Sequence, residues 1–277
     1  MDSFRNGPLV FPVLDEGSGP PVVLLHGFPQ DSSSWDAVVP FLHAAGLRTL
    51  RPDQRGYAAS ARPRSTNDYR VVHLVADVVS LLDAAGLERA HVVGHDWGGA
   101  VAWALACTEP DRVETLTVLS TPHPAAFLRS VLTSTQGFHS AYMVPFQPPG
   151  LVEWLLGGSG NEGRVRALLQ QLGAPPAAVE TAVRLMADRE RLRAMLQWYR
   201  ALPRSVDSAA RRHCTVPTTY VWSTKDAALG RAAAERTERY VDGPYLFEVL
   251  EGLGHWLPEE APERVAGLIR DRVLLGR

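Results

Sequence analysis

The stretch Arg89-Ala90-His91-Val92-Val93-Gly94-His95-Asp96-Trp97-Gly98-Gly99-Ala100 decides the fold. Ala90 to Val93 is apolar and β-branched, the pattern of a strand covered on both faces. From Ala100 to Ala106 the chain is rich in alanine and leucine and predicts a helix. Between the two, Gly94, Gly98 and Gly99 surround one acid, Asp96. A strand that becomes a helix in so few residues brings the elements almost into contact. Side chains at Gly94 and Gly98 would collide there. Such a turn holds its central residue under strain and lifts that side chain clear of the sheet. It also sets the N–H of Trp97 at a helix N-terminus, where an oxyanion would be stabilised. Glycine-rich turns of this kind also bind phosphate, so the rest of the chain must decide between the two uses.

Outward from this stretch, buried strands alternate with helices. Val22 to Leu25 predicts a strand that runs into His26-Gly27-Phe28-Pro29-Gln30. Ser32 to Ala45 predicts one amphipathic helix with Trp35, Val38, Val39, Phe41 and Leu42 apolar. Leu47 to Leu50 is a further strand, ending in Arg51-Pro52-Asp53-Gln54-Arg55-Gly56-Tyr57. Asp68 to Ala85 has helical periodicity, and Gly86 ends it. Leu9 to Leu14 predicts an edge strand, weakened by Pro12. Val113 to Leu119 continues the series, which implies a mostly parallel sheet with helices on both faces.

From about residue 125 to 212 no strand pattern appears, only helical segments with Gly and Pro breaks. The loop Gly157-Gly158-Ser159-Gly160-Asn161 reads as flexible. The sheet resumes at Val216 to Trp222, followed by a helix near Ala227 to Tyr240 and a strand at Tyr245 to Leu250. Gly252-Leu253-Gly254-His255-Trp256 leads into a last helix from about Pro262 to Leu275. The expected organisation is an α/β core of residues 1–121 and 213–277 interrupted by a helical cap at 122–212.

A chain of 277 residues suits one large domain, or a domain with an insertion. A net charge of −2 gives no reason to expect nucleic acid or an anionic membrane as partner. Arg189 to Arg193 and Arg211-Arg212 are short and mixed, and read as solvated helix faces. Met1 to Asn6 is polar and unlike a signal peptide. No stretch is long and apolar enough to span a bilayer. Cys107 and Cys214 have neither paired nor metal spacing, and Cys107 reads as a buried thiol. A reducing cytoplasm is the expected compartment. No metal or organic cofactor is implied. Oligomeric state is left open, a homodimer being one option.

Ligands of open parallel sheets sit beyond the C-terminal ends of the strands. His26 with Phe28, Asp96, Asp226 and His255 all lie at such ends. The order nucleophile, acid, histidine (Asp96, Asp226, His255) is that of an α/β-hydrolase triad. Asp226 could instead cap the helix that Ala227 begins, and His255 could be a satisfied loop histidine. The strand ending at Leu119 runs into Ser120-Thr121 with no carboxylate, which favours Asp226 as the acid. A carboxylate attacks esters poorly but is suited to displacement at saturated carbon, which leaves an alkyl ester on Asp96. Water activated by His255 would then cleave that ester, with Asp226 orienting the imidazole. The N–H groups of Trp97 and Phe28 would form the oxyanion hole. The leaving group is then an epoxide oxygen or a halide.

These motifs resemble those of the α/β-hydrolase-fold epoxide hydrolases, a branch that shares its Asp nucleophile with the haloalkane dehalogenases. His26-Gly27-Phe28-Pro29 resembles the oxyanion motif, Gly94-His95-Asp96-Trp97-Gly98-Gly99 the elbow and Gly254-His255-Trp256 the histidine loop. Asp53-Gln54-Arg55-Gly56-Tyr57 resembles a core loop of that family. Tyr142-Met143-Val144-Pro145-Phe146-Gln147-Pro148-Pro149-Gly150 and Trp198-Tyr199-Arg200 resemble its cap motifs. The resemblance implies that Tyr142 and Tyr199 donate to the epoxide oxygen. It also implies a pocket built with His26, Pro29, Phe146, Trp198 and Trp256. Two positions depart from the pattern: Ala58 and Ser223 stand where that family commonly has glycine.

The expected activity is hydrolysis of a small-molecule epoxide with water to a vicinal diol. The alternative is a haloalkane or haloacid dehalogenase with the same triad and Trp97 as a halide donor. An alternative of another class is a non-catalytic protein that binds a small ligand. A serine-type esterase is disfavoured, because no serine occupies the elbow.

Overall fold

The structure is a computed structural model that describes residues 1–205 and 212–276. Arg211 and the rest of 206–211, the end of the expected cap, lie outside the described residues. The strands are β1 (Ser3–Asn6), β2 (Leu9–Glu16), β3 (Pro21–Leu25), β4 (Arg48–Pro52), β5 (Ala90–His95), β6 (Val113–Leu119), β7 (Thr218–Ser223) and β8 (Tyr245–Leu250). They form one sheet in the order β1-β2-β4-β3-β5-β6-β7-β8. The β1–β2 and β2–β4 pairs are antiparallel and the other pairs are parallel.

Helices cover both faces. α1 (Val39–Ala44) comes first, then α2 (Val71–Ala84) and α3 (Trp97–Thr108). Between β6 and β7 lie α4 (Pro124–Thr133), α5 (Gln136–His139), α6 (Leu151–Leu156), α7 (Glu162–Gln171), α8 (Pro176–Met186) and α9 (Arg189–Ala201). α10 (Arg231–Arg236) joins β7 to β8, and α11 (Leu257–Glu260) and α12 (Pro262–Leu275) follow β8. The period-2 rule of a strand sorts the core. Val22 and Leu24 pack toward Leu42 of α1 and Ile269 of α12. Val23 and Leu25 pack toward Leu81 of α2 and Val101 of α3. No helix among the described residues is long and apolar enough to cross a membrane. Cys107 and Cys214 are buried and free.

The structure departs from the sequence reading in several places. Leu9 to Leu14 is extended, but it is not the edge. β1 pairs outside it, and Phe4 stacks on Phe11 with ring centroids 4.8 Å apart. The polar residues around Phe4 hid that strand. The single helix expected over Ser32 to Ala45 is two pieces, a 3₁₀ turn at Ser32–Trp35 and α1. Pro40 has no N–H to give and disfavours helix before it, so the helix restarts with Pro40 in its first turn. The helix expected from Ala227 begins only at Arg231, because Asp226 captures the amides of Ala228 and Leu229 first. The loop expected to be flexible at Gly157–Asn161 is tied down. The Gly157 carbonyl accepts from Asn161 Nδ2 at 2.9 Å and from Arg189 Nε at 3.0 Å.

The chain leaves β3 toward β4 on one side and later places β5 on the other. The β3–β5 gap is therefore the switch point of the sheet, where a ligand site is expected. The loop after β3 carries Phe28 and the turn after β5 carries Asp96. The loops after β7 and β8 carry Asp226 and His255. Above them α9 is pinned to the sheet layer. Arg62 pairs with Asp188 at 2.7 Å, and Trp198 Nε1 donates to the Arg55 carbonyl at 2.8 Å.

Candidate active site

The turn between β5 and α3 is as tight as its glycines suggest. Asp96 has φ 52° and ψ −122°, left-handed backbone that a residue with a side chain rarely adopts. A Cβ on Gly94 would lie 2.3 Å from the Gly98 carbonyl oxygen, and one on Gly98 would lie 2.2 Å from that of Leu25. The hydroxyl of Thr121 donates to the Asp96 carbonyl at 2.6 Å, holding the strained residue from the β6 side.

The Asp96 side chain meets two partners. Its Oδ1 accepts from the Phe28 amide at 2.8 Å. Its Oδ2 stands 3.5 Å from His255 Nε2. On the far side of the ring, His255 Nδ1 donates to Asp226 Oδ2 at 2.9 Å. The other Asp226 oxygen accepts from the amides of Ala228 and Leu229, both at 2.9 Å. One oxygen of Asp226 thus serves the histidine and the other holds a turn; it caps no helix, because α10 begins at Arg231 with Gly230 as its N-cap. The amide of Trp97 is the first of α3, so no carbonyl within the helix takes it.

Electrostatics follow from this order. Burial alone would neutralise His255, but Asp226 and then Asp96 outweigh it and raise the imidazole well above its ordinary pKa. Burial likewise opposes the charge on Asp96 and on Asp226. The His255 proton and the backbone amides outweigh it and keep both carboxyls below their ordinary value.

Over this floor lies a cavity of about 760 Å³, walled by Phe28, Pro29, Phe146, Tyr142, Tyr199, Trp256 and the apolar faces of α6 and α7. Asp96 and His255 line it. A second, smaller cavity of about 120 Å³ opens on the Trp97, Phe127 and Leu128 side, and Asp96 and Tyr142 line both. The Tyr142 and Tyr199 rings stand 6.3 Å apart, centroid to centroid. Burial raises the Tyr199 phenol well above its ordinary pKa; Tyr142, 37% exposed where it lines the cavity, shifts in the same direction, and the negative charge of Asp96 pushes both the same way. Each therefore keeps its proton at neutral pH.

Two expected pocket residues lie elsewhere. His26 is fully buried beneath the oxyanion loop. Its Nδ1 donates to the Gly27 carbonyl at 3.0 Å and its Nε2 accepts from the Gln54 amide at 3.1 Å. With both nitrogens spent and no access to the cavity, it supports Phe28 and does not contact a ligand. Trp198 is buried behind Trp97 and Tyr57 with its indole N–H taken by Arg55. It positions Tyr199, one residue on. Pro29, Phe146 and Trp256 do line the cavity.

Comparison with known proteins shows the family to which the chain belongs. The α/β hydrolase fold family profile matches residues 20–148. The chain is 32% identical to epoxide hydrolase A of Mycobacterium tuberculosis, across 92% of this chain and 90% of that protein. It is 33% identical to epoxide hydrolase 3 of Xenopus tropicalis, across 91% of this chain and 71% of that protein. The chain belongs to the α/β-hydrolase-fold epoxide hydrolase family. Among solved structures, epoxide hydrolase A from Mycobacterium thermoresistibile superposes with a TM-score of 0.82 at 27% identity, over 98% of this chain and 97% of that one. Potato epoxide hydrolase I, at 23% identity and a TM-score of 0.83, shares the fold.

The two departures from the family pattern are accommodated. Ala58 has φ −85° and ψ 144°, ordinary extended backbone that needs no glycine. Ser223 is buried and its hydroxyl donates to the Gly254 carbonyl at 2.5 Å, joining the Asp226 and His255 loops. Other supporting residues escaped the sequence reading. Arg200 makes a buried pair with Glu153 at 2.9 Å and donates to the Phe146 carbonyl at 3.0 Å, which fixes the segment beside Tyr142. Ser120, with φ 66°, donates to the His255 carbonyl at 3.2 Å. Ser120 and Arg200 stand within stretches the sequence reading quoted, but their supporting roles come only from their neighbours in space.

Proposed function

We propose that this protein hydrolyses an epoxide to a vicinal diol in two half-reactions, with residues 122–212 acting as a cap over a core of 1–121 and 213–277. The observation that carries this reading is a pair of tyrosines, Tyr142 and Tyr199, lining the same cavity as the Asp96 carboxylate. A halide needs no proton to leave, whereas the alkoxide of an opened epoxide does.

In the first half-reaction Asp96 Oδ2 attacks one epoxide carbon. The carbon–oxygen bond breaks, its electron pair goes to the oxygen, and Tyr142 or Tyr199 supplies the proton. Oδ1 becomes the ester carbonyl oxygen, already held by the Phe28 amide. Esterification removes one of the two negative charges that keep His255 cationic, so its pKa falls and it passes its proton to the tyrosinate, which leaves a neutral base. In the second half-reaction His255 takes a proton from water, and the hydroxide oxygen attacks the ester carbon. Negative charge builds on Oδ1 under the amides of Phe28 and Trp97. Collapse releases the diol and restores the carboxylate. The proton that His255 takes from water replaces the one it passed to the tyrosinate, and the attacking hydroxide's own proton goes to the departing diol oxygen, so the cycle consumes one epoxide and one water.

The deciding experiment incubates the purified protein with aryl and alkyl epoxides, and with matched chloro- and fluoro-compounds, in water enriched in heavy oxygen. Diol without halide release is expected, and a single turnover should place an unlabelled oxygen from Asp96 in the diol. Halide release without diol would move the assignment to a dehalogenase. Inactivity on every compound would favour a ligand-binding protein.

A further inference from the structure

Behind His255 runs a line of buried polar groups that the reaction above does not use. The His255 carbonyl accepts from His95 Nε2 at 2.8 Å. A carbonyl can only accept, so His95 carries its proton on Nε2. His95 Nδ1 faces the side-chain amide of Gln30 at 3.2 Å, and the far side of that amide meets the carboxyl of Glu259. Gln30 and His95 are fully buried, and the second Glu259 oxygen is buried without a partner. The three side chains flank three of the four loops that make the site. Gln30 follows Phe28, His95 precedes Asp96, and Glu259 lies on α11 just past His255.

Only two arrangements of protons satisfy this line. In one, Glu259 is a carboxylate that accepts from Gln30 Nε2, and Gln30 Oε1 must then accept from His95 Nδ1, which makes His95 an imidazolium. In the other, Glu259 is the neutral acid and donates to Gln30 Oε1. Gln30 Nε2 then donates to a neutral His95. In the structure Gln30 Nε2 meets Glu259 and Oε1 meets His95; a half-turn of that amide, whose oxygen and nitrogen are assigned by the hydrogen-bond network, gives the second arrangement. They hold the same number of protons and differ in charge separation. The first buries a carboxylate and an imidazolium away from water, which is costly. It also sets that imidazolium against the cationic His255, ring centroids 4.9 Å apart. Burial, and then the His255 charge, lower His95 to about 4. Burial raises Glu259 to about 8. Of the charged groups facing Glu259, His255 opposes that rise and Glu260 reinforces it. Glu260 is itself engaged by the amides of Gly254 and Trp256.

We propose that Glu259, held as the neutral acid, is a positioning residue that orients Gln30 and His95 and so fixes the His255 loop against the loops of Phe28 and Asp96. If Glu259 ionises, it and the neutral His95 Nδ1 can both only accept. Gln30 Nε2 can serve one of them, and a link between the loops is lost.

The kinetic part of this inference rests on the proposed hydrolysis; the protonation part does not. Infrared difference spectra of the wild type against Glu259→Gln should contain the carbonyl band of a buried protonated acid at neutral pH, titrating away near pH 8. Absence of that band overturns the proposal, whatever the protein's substrate. In single-turnover kinetics Glu259→Gln, which still donates to Gln30, should keep ester hydrolysis within about threefold and lose the alkaline fall of the wild type. Glu259→Leu, which fills the space without a donor, should slow ester hydrolysis about tenfold and alkylation less. An alkaline fall unchanged in Glu259→Gln would overturn the proposal. If no epoxide is turned over at all, the functional reading fails and the infrared result alone decides this one.

Discussion

The amide of Phe28 donates to Oδ1 of Asp96 at 2.8 Å across 68 residues of chain. One oxygen of the carboxylate is therefore already engaged where an oxyanion would form, and the other faces His255 and the cavity. This asymmetry separates an attacking oxygen from a stabilised one before any substrate arrives. It is possible because a Cβ on Gly27 would lie 2.4 Å from the Asp96 Cβ, so only glycine lets the two loops meet.

Removing the base should stop the cycle after ester formation. His255→Gln is expected to accumulate a covalent adduct on Asp96, and the intact mass should rise by the mass of the epoxide. An unmodified mass after incubation with a substrate the wild type turns over would rule out the covalent route.

The tyrosines should act in the first half-reaction only. Tyr142→Phe and Tyr199→Phe should each slow alkylation, and the double variant should lose about 10²–10⁴-fold, the usual contribution of a general acid. Stopped-flow quenching of the nearby Trp97 would follow the step. Alkylation at the wild-type rate in the double variant would reduce both residues to packing.

Asp226→Asn should affect stability and chemistry with a defined pH dependence. Asp226 holds the His255 pKa above its ordinary 6.5, and His255 holds that of Asp226 below its ordinary 3.8. The His255 contribution is complete below pH 6.5 and is lost as pH rises through the raised value. The Asp226 contribution is present above pH 3.8 and is lost as pH falls through the lowered value. Denaturant melts should thus show the largest cost of the substitution between pH 3.8 and 6.5. Breaking a buried pair costs about 3–5 kcal/mol. Ester hydrolysis should fall more than alkylation, because the imidazole loses its orienting partner.

Two glycines of opposite kind test the packing argument. At Gly98 a methyl group would strike the Leu25 carbonyl at 2.2 Å, backbone against backbone, and Gly98→Ala should cost about 3 kcal/mol or more in urea melts. At Gly267, inside α12, nothing lies within 4 Å of the added carbon. Gly267→Ala should stabilise by about 0.5–1 kcal/mol through helix propensity. A Gly98→Ala variant as stable as wild type would mean that the elbow is looser than its geometry.

The layout of the sheet was readable because buried parallel strands are short apolar runs. Val113–Leu119 is bounded in the structure as its pattern suggests, and so is the partly exposed edge strand Tyr245–Leu250. β1 was not readable, since one buried phenylalanine among polar residues carries no period. The break between Ser32–Trp35 and α1 was also missed, although Pro40 was a signal for it. In the site, Asp96, Asp226 and His255 stood out because chemistry needs those residue types at strand ends in that order. His26 and Trp198 stood in the same motifs, yet both face inward beneath the pocket.

The sequence by itself determined the elbow, the alternation of strand and helix, and which residue types stand at the strand ends. Those are encoded locally, in glycine spacing and hydrophobic period. Only the tertiary structure decided how the parts are held: that Asp226 divides its two oxygens between a histidine and two amides, that Trp198 braces rather than lines, and that Gln30, His95 and Glu259 form one line behind His255. Each of those facts depends on pairs of groups more than 60 residues apart or on the direction of a side chain, except at Asp226, whose histidine is 29 residues away and whose two amides are adjacent. Neither long-range pairing nor side-chain direction leaves a period in the chain, because each is settled only when burial forces every polar group to find a partner.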